Sequence, residues 1–530
     1  MSHKKAQKAQ NHFWLLVLIC LVPAFAAAQE SLAQQQSRGR QIYVQGTSKS
    51  GKDILAYVGE ASLEVPGNTL PCAGCHGLDG RGKSEGGVNP SNVTWEFLTK
   101  PYGLKHASGR QHPPYTERGL EMAITRGLDP AGNKLLQAMP RYVMSREDLA
   151  DLVTYLRLLG RERDPGVSDD KIVIGTLVET SGLLADWGKA IVAVTNAVFE
   201  EVNSQGGLYG RRLELQVIES SAETRTAARA KLESVLKEQQ VFAISNAMIA
   251  GTEKEIVPLL SQNETPLIGP FSLYPQTGFP LNRQVFYLLS GLDDQAKSLV
   301  KFIAEKPEFK NANIAMFAPR IELFTNVIEA VRAKKNASKI LTVVQYESGR
   351  FDVADAIKQA RQAAAEVVVL MGSGEDALAF MREAEKLNWF PAVLVPGGAI
   401  GASVFAAPIG FDRKVFFSFA TSPDDHTAEG LNEFRAFQAK YKLPSGHVTA
   451  QISAYVAAKM LIEGLKRAGK DVSREKLIQE LERLHAYSTG LTQPITYGPN
   501  RRIGATGAYV VTIDLKEKQF VRVSGWVDSN

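Results

Sequence analysis

Apolar runs alternate with amphipathic segments from Lys171 onward. Ile172 to Val178 and Leu213 to Ile218 are short apolar runs, which predicts strands. Lys189 to Asn203 and Glu223 to Gln239 repeat their apolar positions every three to four residues, which predicts helices between the strands. Further strands are predicted at 241–244, 266–268, 314–317, 341–346, 367–371, 392–395 and 415–419. This alternation predicts α/β structure, with parallel sheets flanked by helices and right-handed crossovers.

In the first 160 residues the apolar positions follow a different pattern, with mainly helical spacing. Apolar positions recur at helical spacing from Glu147 to Leu159, and a shorter helical pattern carries Gly39 and Tyr43. The stretch between that shorter pattern and residue 72 is predicted to be loop, with a short strand at 54–58. Residues 161–170 are polar, lack periodicity and are broken by a Pro-Gly pair, so we predict a linker there.

The first 28 residues have the composition of a secretory signal peptide. Lysines at the start precede an apolar run from Phe13 to Val22 that is too short to span a bilayer, and Ala26-Ala27-Ala28 supplies a small-residue cleavage site. Cys20 lies in the apolar run, but the bulky Ile19 before it disfavours lipidation. We therefore expect cleavage before Gln29 and a soluble mature chain in the periplasm.

Charge and length change the picture only slightly. Lysine and arginine number 61 against 56 aspartate and glutamate residues, a net charge of +5. Removal of the lysines in the leader brings this closer to zero, so neither nucleic acid nor an anionic membrane is favoured as a partner. A mature chain of about 500 residues is too long for one core. We predict a signal peptide at 1–28, a first domain at 29–160, a linker at 161–170 and a second domain at 171–530.

The most specific motif is Cys72-Ala73-Gly74-Cys75-His76. Two thiols separated by two residues and followed by a histidine form the attachment motif of a c-type haem. One tight turn offers both sulfurs to the vinyl groups of a single porphyrin and places the imidazole as the proximal iron ligand. Half of a zinc site or a redox dithiol would be the alternatives. Zinc would need two more ligands from a mature chain with no further cysteine, and a dithiol would not need His76, so we predict one covalent haem c.

The surroundings of this motif resemble a small class I cytochrome c domain, which implies an all-α fold. In that family the first and last helices cross where a small residue meets an aromatic one, and Gly39 and Tyr155 match that pair. The resemblance implies Met139, directly before Pro140, as the second axial ligand of the iron. The competing candidates are Met122, Met144, His106 and His112. A haem iron with both axial positions filled by His76 and Met139 favours electron transfer over catalysis.

The second domain resembles a type I periplasmic solute-binding protein of the branched-chain amino-acid receptor, or Leu/Ile/Val-binding, family. The matching phrases are Lys171 to Gly175, Thr180 to Gly182, Glu201 to Arg211, Ala454 to Ala458 and Arg467 to Gly469. The resemblance implies two α/β lobes that are joined by three crossing segments and close over a ligand in the cleft between them.

In that family, loops that follow the strands hold the ligand. The residues carried over to this chain are Ser181, Trp187, Asn246, Met248, Ile249, Phe271, Ser272, Tyr274, Asp293 and Ser373, with Gly398 in the far lobe. Amino-acid receptors place hydroxyl groups against the ligand carboxylate and an acid against its ammonium group. The best-matching positions here are Ile249, Leu273 and Gly398, so we predict a small aromatic or aliphatic ligand rather than a free amino acid. The other interpretation is that Met248 and Phe271 are core residues and backbone amides make the polar contacts.

Three functions are compatible with these features. The first is a periplasmic electron carrier whose second domain binds a small molecule, with a dehydrogenase or another cytochrome as redox partner. The second is the receptor of an ABC-type transporter, with a permease as partner and the haem as a redox sensor or accessory. An enzyme is the least favoured, because no catalytic cluster stands out and His426, His447 and His485 are scattered.

Overall fold

The computed structural model describes residues 32, 34–82, 89–106, 109–160, 163–182, 184–220, 225–275, 278, 280–333, 339–397, 401–421 and 427–529. The chain divides into two compact units, residues 1–163 and 164–530. The predicted signal peptide lies outside the described residues. Within those residues, no helix combines the length and the apolar character needed to cross a membrane.

The first unit is built mainly of helices around one apolar core. Its helices are α1 (34–45), α2 (Cys72–His76), α3 (Trp95–Leu98), α4 (Glu117–Arg126) and α5 (Arg146–Leu156), and its strands are β1 (Leu55–Val58), β2 (Leu63–Pro66), β3 (Leu104–Lys105), β4 (Gln111–His112) and β5 (Arg141–Val143). The hydroxyls of Thr116 and Ser145 accept backbone N–H groups in the first turns of α4 and α5, which fixes where these helices begin. Gly127 ends α4 in the left-handed conformation.

Helices α1 and α5 cross at Gly39. A β-carbon at this position would lie 2.0 Å from the Asp151 carbonyl oxygen and 2.7 Å from the Tyr155 β-carbon, so the approach requires glycine. The rings of Tyr43 and Tyr155 are 5.5 Å apart, and Arg38 forms an ion pair with the buried Asp151 across the same crossing. The predicted contact between Gly39 and Tyr155 is confirmed.

Gly39→Ala should therefore destabilise the first unit. Because the added methyl group meets backbone atoms rather than a mobile side-chain end, the two helices must move apart, which costs about 1–3 kcal/mol. Denaturant unfolding of the whole protein, followed at an absorption band of the predicted haem, measures the change. Gln35→Ala, at an exposed position of the same helix, is the control and should change stability by less than about 0.5 kcal/mol. Equal stability of the two variants would contradict the prediction.

The segment between α1 and α2 forms a hairpin. β1 pairs antiparallel with β2 on one side and with β5 on the other. The strand predicted at 54–58 corresponds to β1, whereas its two partners were not predicted. The first unit therefore carries a small sheet in addition to the helices expected of it.

The second unit alternates strands with helices over most of its length. Its strands are β6 (Lys171–Glu179), β7 (Arg212–Ser220), β8 (Ala243–Ser245), β9 (Leu267–Ile268), β10 (Val285–Leu289), β11 (Asn313–Pro319), β12 (Lys339–Tyr346), β13 (Val367–Leu370), β14 (Ala392–Pro396), β15 (Val415–Phe419), β16 (Ile503–Ala505), β17 (Ala508–Asp514) and β18 (Gln519–Val527). Its helices are α6 (Ala185–Ser204), α7 (Arg225–Lys237), α8 (Glu253–Gln262), α9 (Leu292–Ala304), α10 (Glu322–Ala333), α11 (Val353–Gln362), α12 (Gly374–Lys386), α13 (Ala428–Lys440), α14 (Val448–Ala468) and α15 (Arg474–Glu482).

These elements form two lobes, each around one sheet. The first sheet has the strand order β16-β10-β9-β8-β6-β7 and is parallel throughout. The second has the order β12-β11-β13-β14-β15-β17-β18 and becomes antiparallel from β15 to β18. The central strands are apolar and fully buried because helices cover both faces of each sheet. The predicted two-lobed α/β fold is confirmed.

The chain crosses between the lobes after β10, before α13 and between β16 and β17. The first and third crossings touch, because the hydroxyl of Ser290 donates to the Gly507 carbonyl oxygen at 2.6 Å. At the lobe surfaces, Lys254 of α8 forms an ion pair with Glu322 of α10.

The predicted linker is only partly separate from its neighbours. From Asp164 onward the chain belongs to the second unit. The N–H of Val173 donates to the Gly166 carbonyl oxygen at 2.8 Å, and a β-carbon at Gly166 would lie 2.3 Å from the Phe242 nitrogen. Residues 164–170 therefore pack on the first lobe rather than extending freely.

Candidate functional site

Cys72 and Cys75 lie on α2, one helical turn apart. Neither forms a disulfide; Cys75 is exposed and Cys72 is half-buried. Burial raises the pKa of the Cys72 thiol to about 12, so it remains protonated at neutral pH. Tyrosine hydroxyls hold the chain at both ends of this helix, since Tyr142 donates to the Leu70 carbonyl oxygen at 2.6 Å and Tyr43 to the Gly77 carbonyl oxygen at 2.7 Å.

The His76 imidazole has the protonation state that a metal ligand needs. It is buried, and burial lowers its pKa, so the ring is neutral. Its Nδ1 lies 2.8 Å from the Ser91 carbonyl oxygen, an acceptor, so the proton belongs on Nδ1. The Nε2 lone pair is therefore available to iron, with the backbone carbonyl as the outer partner typical of metal-bound histidines.

Met139 lies in the loop that joins α4 to β5. Its side chain is half-buried against the core of the first unit, and Pro140 is buried behind it. The guanidinium of Arg141 donates to the carbonyl oxygens of Met139 and of Leu135, the latter at 3.1 Å. Arg141 thus holds the loop backbone by hydrogen bonds, and this backbone carries the Met139 thioether.

The two competing histidines contact each other. His106 and His112 face each other with their Nε2 atoms 3.0 Å apart, and Nδ1 of His112 lies 2.8 Å from the Pro113 carbonyl oxygen. Met122 is part of α4, and Met144 packs on the core just before α5. The donor set of two free thiols, a neutral imidazole and a loop thioether fits a c-type haem.

The cleft side of the first lobe carries an aromatic cluster. The rings of Trp187 and Phe271 meet edge to face at 5.2 Å, and the ring of His447 lies 6.3 Å from that of Trp187. Phe271 and Leu273 are 36% and 38% exposed, so apolar surface faces solvent where the strands end. The sequence analysis counted His447 among the scattered histidines. Its position directly before the long apolar pattern of α14 was the signal that could have identified it.

The predicted cleft residues after β8 belong to the interior of the lobe. Asn246 donates both to the Thr195 hydroxyl at 3.1 Å and to the Ala454 carbonyl oxygen at 3.2 Å. Met248 and Ile249 are buried in the two cores of the same lobe. Their side chains are occupied by packing and hydrogen bonds in this structure, and their assignment to the cleft stays a prediction.

Phe271, by contrast, is not a core residue, because its side chain is partly exposed. The loop that contains Phe271 also places Ser272 and Tyr274 at the lobe junction. The Ser272 hydroxyl donates to Glu253 at 2.8 Å and accepts the N–H of Tyr274 at 3.1 Å. Burial, followed by the charge of Asp293, raises the pKa of Tyr274, so this phenol remains neutral.

Asp293, at the start of α9, has a buried carboxylate with one unsatisfied oxygen. Its Oδ1 is buried and has no hydrogen-bond partner among the described residues, while Oδ2 lies 3.4 Å from Nζ of Lys297. Burial and then the neighbouring charge of Asp294 raise its pKa. An unsatisfied buried oxygen at a cleft is well suited to accept a hydrogen bond from a ligand.

The remaining predicted residues are Ser373, Ser181 and Gly398. Ser373 caps α12, accepting the Asp376 N–H at 3.1 Å in a reciprocal capping box. Ser181 is exposed in the loop before α6, and Gly398 lies outside the described residues. Across the described part of the chain, no cluster of three or more histidine, cysteine or acidic side chains is arranged to hold a metal ion.

Comparison with known families covers both units. The family model described as periplasmic binding protein matches residues 171–519, and the one described as cytochrome c matches residues 69–160. The first of these spans well over half of the chain.

The curated relatives are binding proteins. The Leu/Ile/Val-binding protein BraC3 of Rhizobium johnstonii is 21% identical over 329 residues, covering 62% of this chain and 87% of the relative. The Leu/Ile/Val-binding protein homolog 8 of Brucella abortus is 23% identical over 335 residues, covering 59% of this chain and 80% of the relative.

Solved structures share the fold of the second unit. A branched chain amino acid ABC transporter from Thermus thermophilus with bound valine matches with a TM-score of 0.54 and 18% identity, covering 68% of this chain and 97% of that one. A fatty acid ABC transporter substrate-binding protein from Thermomonospora curvata matches with a TM-score of 0.53 and 17% identity, covering 69% and 94%. The same fold therefore occurs in proteins described with chemically different ligands.

Proposed function

Because the chain belongs to the periplasmic binding protein family over residues 171–519 and carries a cytochrome c domain at residues 69–160, we propose that it is a periplasmic electron carrier. In this proposal one haem is attached covalently through the first unit, and the second unit binds a small molecule between its lobes. A signal peptide at 1–28 directs export.

The arrangement on α2 carries this proposal. Cys72 and Cys75 are free thiols on one turn, and each can add across one vinyl group of a porphyrin without a leaving group. His76 keeps its proton on Nδ1 through the Ser91 carbonyl oxygen and offers Nε2 to the iron. The bound haem would supply a one-electron iron centre.

Met139 is the proposed second axial ligand. A thioether favours ferrous iron, and a filled sixth position leaves no vacancy for substrate or oxygen. The function that follows is electron transfer, with a periplasmic dehydrogenase or another cytochrome as partner. Absorption spectra of the purified protein test this directly: both oxidation states should be six-coordinate, and the ferrous form should not bind carbon monoxide. A five-coordinate ferrous spectrum would contradict the proposal.

The ligand of the second unit is proposed to be an apolar compound, aliphatic or aromatic, rather than a free amino acid. Trp187 and Phe271 offer partly exposed rings, and Leu184 and Val448 add exposed apolar surface beside Trp187 and His447. Tyr274 and Asp293 supply a few polar atoms to orient such a ligand.

A thermal-shift panel of leucine, valine, octanol and phenylethanol separates these ligand classes. We expect leucine and valine to leave the unfolding temperature unchanged and an apolar alcohol, whose hydroxyl can donate to Asp293, to raise it, because a ligand at 100 times its Kd adds about 2.7 kcal/mol. Trp187→Ala should weaken the binding of that compound about tenfold or more, whereas His485→Ala, at an exposed position on the loop after α15, should not. Micromolar binding of leucine or valine would contradict the prediction.

A second candidate function is that of a receptor for an ABC-type permease, with the haem as redox sensor. The kinship with transport receptors favours it. Linkage separates the two functions, because a ligand whose affinity depends on the oxidation state of the haem must shift the haem potential by the equivalent amount. Equal affinity for reduced and oxidised protein would exclude the sensor.

A further inference from the structure

The hairpin before α2 is joined to the loop that contains Met139. β1 pairs with β5, the strand that begins two residues after Met139, in the register Leu55↔Val143 and Tyr57↔Arg141. At the tip of the hairpin the Gly59 N–H donates to the Gln137 carbonyl oxygen at 3.3 Å. A segment distant in sequence thus pairs with the chain on the carboxyl side of Met139 and contacts the loop before it.

Arg141 of β5 turns its guanidinium back under the same loop. It donates to the carbonyl oxygens of Leu135 at 3.1 Å, of Leu136 at 3.5 Å and of Met139. Among the described residues no carboxylate lies within ion-pair distance of it. The charge is therefore solvated by backbone carbonyl groups, which gives charge-assisted hydrogen bonds about twice as strong as neutral ones.

Gly127 forms the floor beneath this guanidinium. A β-carbon there would lie 1.7 Å from Nε of Arg141 and 2.0 Å from its Cζ, so the side chain lies directly against the glycine backbone. Arg141 is consequently confined between the end of α4 and the loop that it bonds. Burial lowers the pKa of Arg141, although its ordinary value is so high that the guanidinium stays charged at neutral pH.

Between residues 136 and 140 the loop has few other bonds. Among the described contacts, the one backbone bond within this stretch joins the Met139 N–H to the Leu136 carbonyl oxygen at 3.0 Å, and Leu136 is 69% exposed. The preceding part of the loop is tied to the end of α4, since the Leu135 N–H donates to the Gly127 carbonyl oxygen at 2.8 Å. A thioether is a weak ligand for ferric iron, so its retention depends on how tightly the backbone holds it in place.

We propose that Arg141 is a positioning residue for the sixth iron ligand, and that the hairpin and Gly127 hold it there. This inference rests on the proposed role of Met139. Without the guanidinium, the loop swings away and a stronger ligand, such as hydroxide or a lysine amine, replaces the methionine at lower pH. The residue acts through the loop backbone and does not touch the haem iron.

The test follows the far-red charge-transfer band between methionine sulfur and ferric iron across an alkaline pH titration of the full-length protein. Arg141→Gln should lower the pH midpoint at which the band disappears by about one unit, a tenfold gain for the competing ligand, since at least one charge-assisted hydrogen bond is lost. Arg141→Lys should give a smaller shift, because one ammonium group cannot reach three carbonyl oxygens. Arg118→Gln, which removes the same charge from an exposed position of α4, should match the wild type.

The outcomes separate the two proposals. Absence of the band in the wild-type protein overturns the role of Met139 itself. A wild-type band with the same pH midpoint in Arg141→Gln overturns the positioning role and leaves Met139 in place. Should Arg141→Gln lose its far-ultraviolet helical signal, Arg141→Lys decides: a midpoint equal to the wild type overturns the inference, and a lowered midpoint supports it.

Discussion

Replacing both Cys72 and Cys75 with alanine is expected to abolish covalent haem completely. Each thioether bond needs one of these sulfurs, and α2 offers no other nucleophile at the required spacing. The measurement is haem-dependent staining after denaturing electrophoresis, which retains only covalently bound porphyrin. A single Cys75→Ala variant should keep one thioether bond and shift the absorption maximum of the reduced protein.

The remaining cysteine supplies the matched control. Cys20 lies in the predicted signal peptide, so Cys20→Ala should leave haem content unchanged. Persistent staining in the double alanine variant would show that haem is attached elsewhere in the chain, and the proposed function of the first unit would fail.

Replacing Met139 with alanine is expected to open the iron to exogenous ligands. The substitution removes the Met139 sulfur, the proposed sixth ligand, while His76, Cys72 and Cys75 remain. The ferrous variant should therefore bind carbon monoxide, and its reduction potential should fall. Difference spectra with and without carbon monoxide give the first result, and a redox titration gives the second.

Met144→Ala is the control, because this second methionine is also partly buried in the first unit and lies five residues away. It should keep the six-coordinate spectrum. If carbon monoxide binds to the Met144 variant and not to the Met139 variant, the ligand assignment passes to Met144 and the argument for Arg141 is lost with it.

Local motifs carry the prediction of the haem site. The Cys72 to His76 spacing is contained in one helical turn, so its chemistry does not depend on the rest of the fold. The contact between Gly39 and Tyr155 required the family resemblance in addition, because two helices that are remote in sequence meet there.

The hairpin was only half predictable, for a physical reason. β1 is an apolar run and was anticipated, but its pairing with β5 joins residues more than eighty positions apart. No periodicity in either segment encodes that partnership, and β5 has only three residues. The support for the Met139 loop therefore became visible only in three dimensions.

Prediction from the sequence reaches a similar limit at the cleft. The family resemblance indicated which loops hold the ligand and singled out Trp187 and Phe271, whose rings the structure brings together. Whether a side chain in such a loop faces the cleft depends on local backbone direction. Asn246 adopts the left-handed conformation and turns inward to Thr195, which a linear alignment does not reveal.

The hydrogen bond from Ser290 to the Gly507 carbonyl oxygen has a consequence for how the lobes move. Because two of the three connections are tied side by side at this point, one lobe can rotate against the other without parting them. The ion pair between Lys254 and Glu322 joins the two lobes, so it must break in any such rotation that carries α8 away from α10.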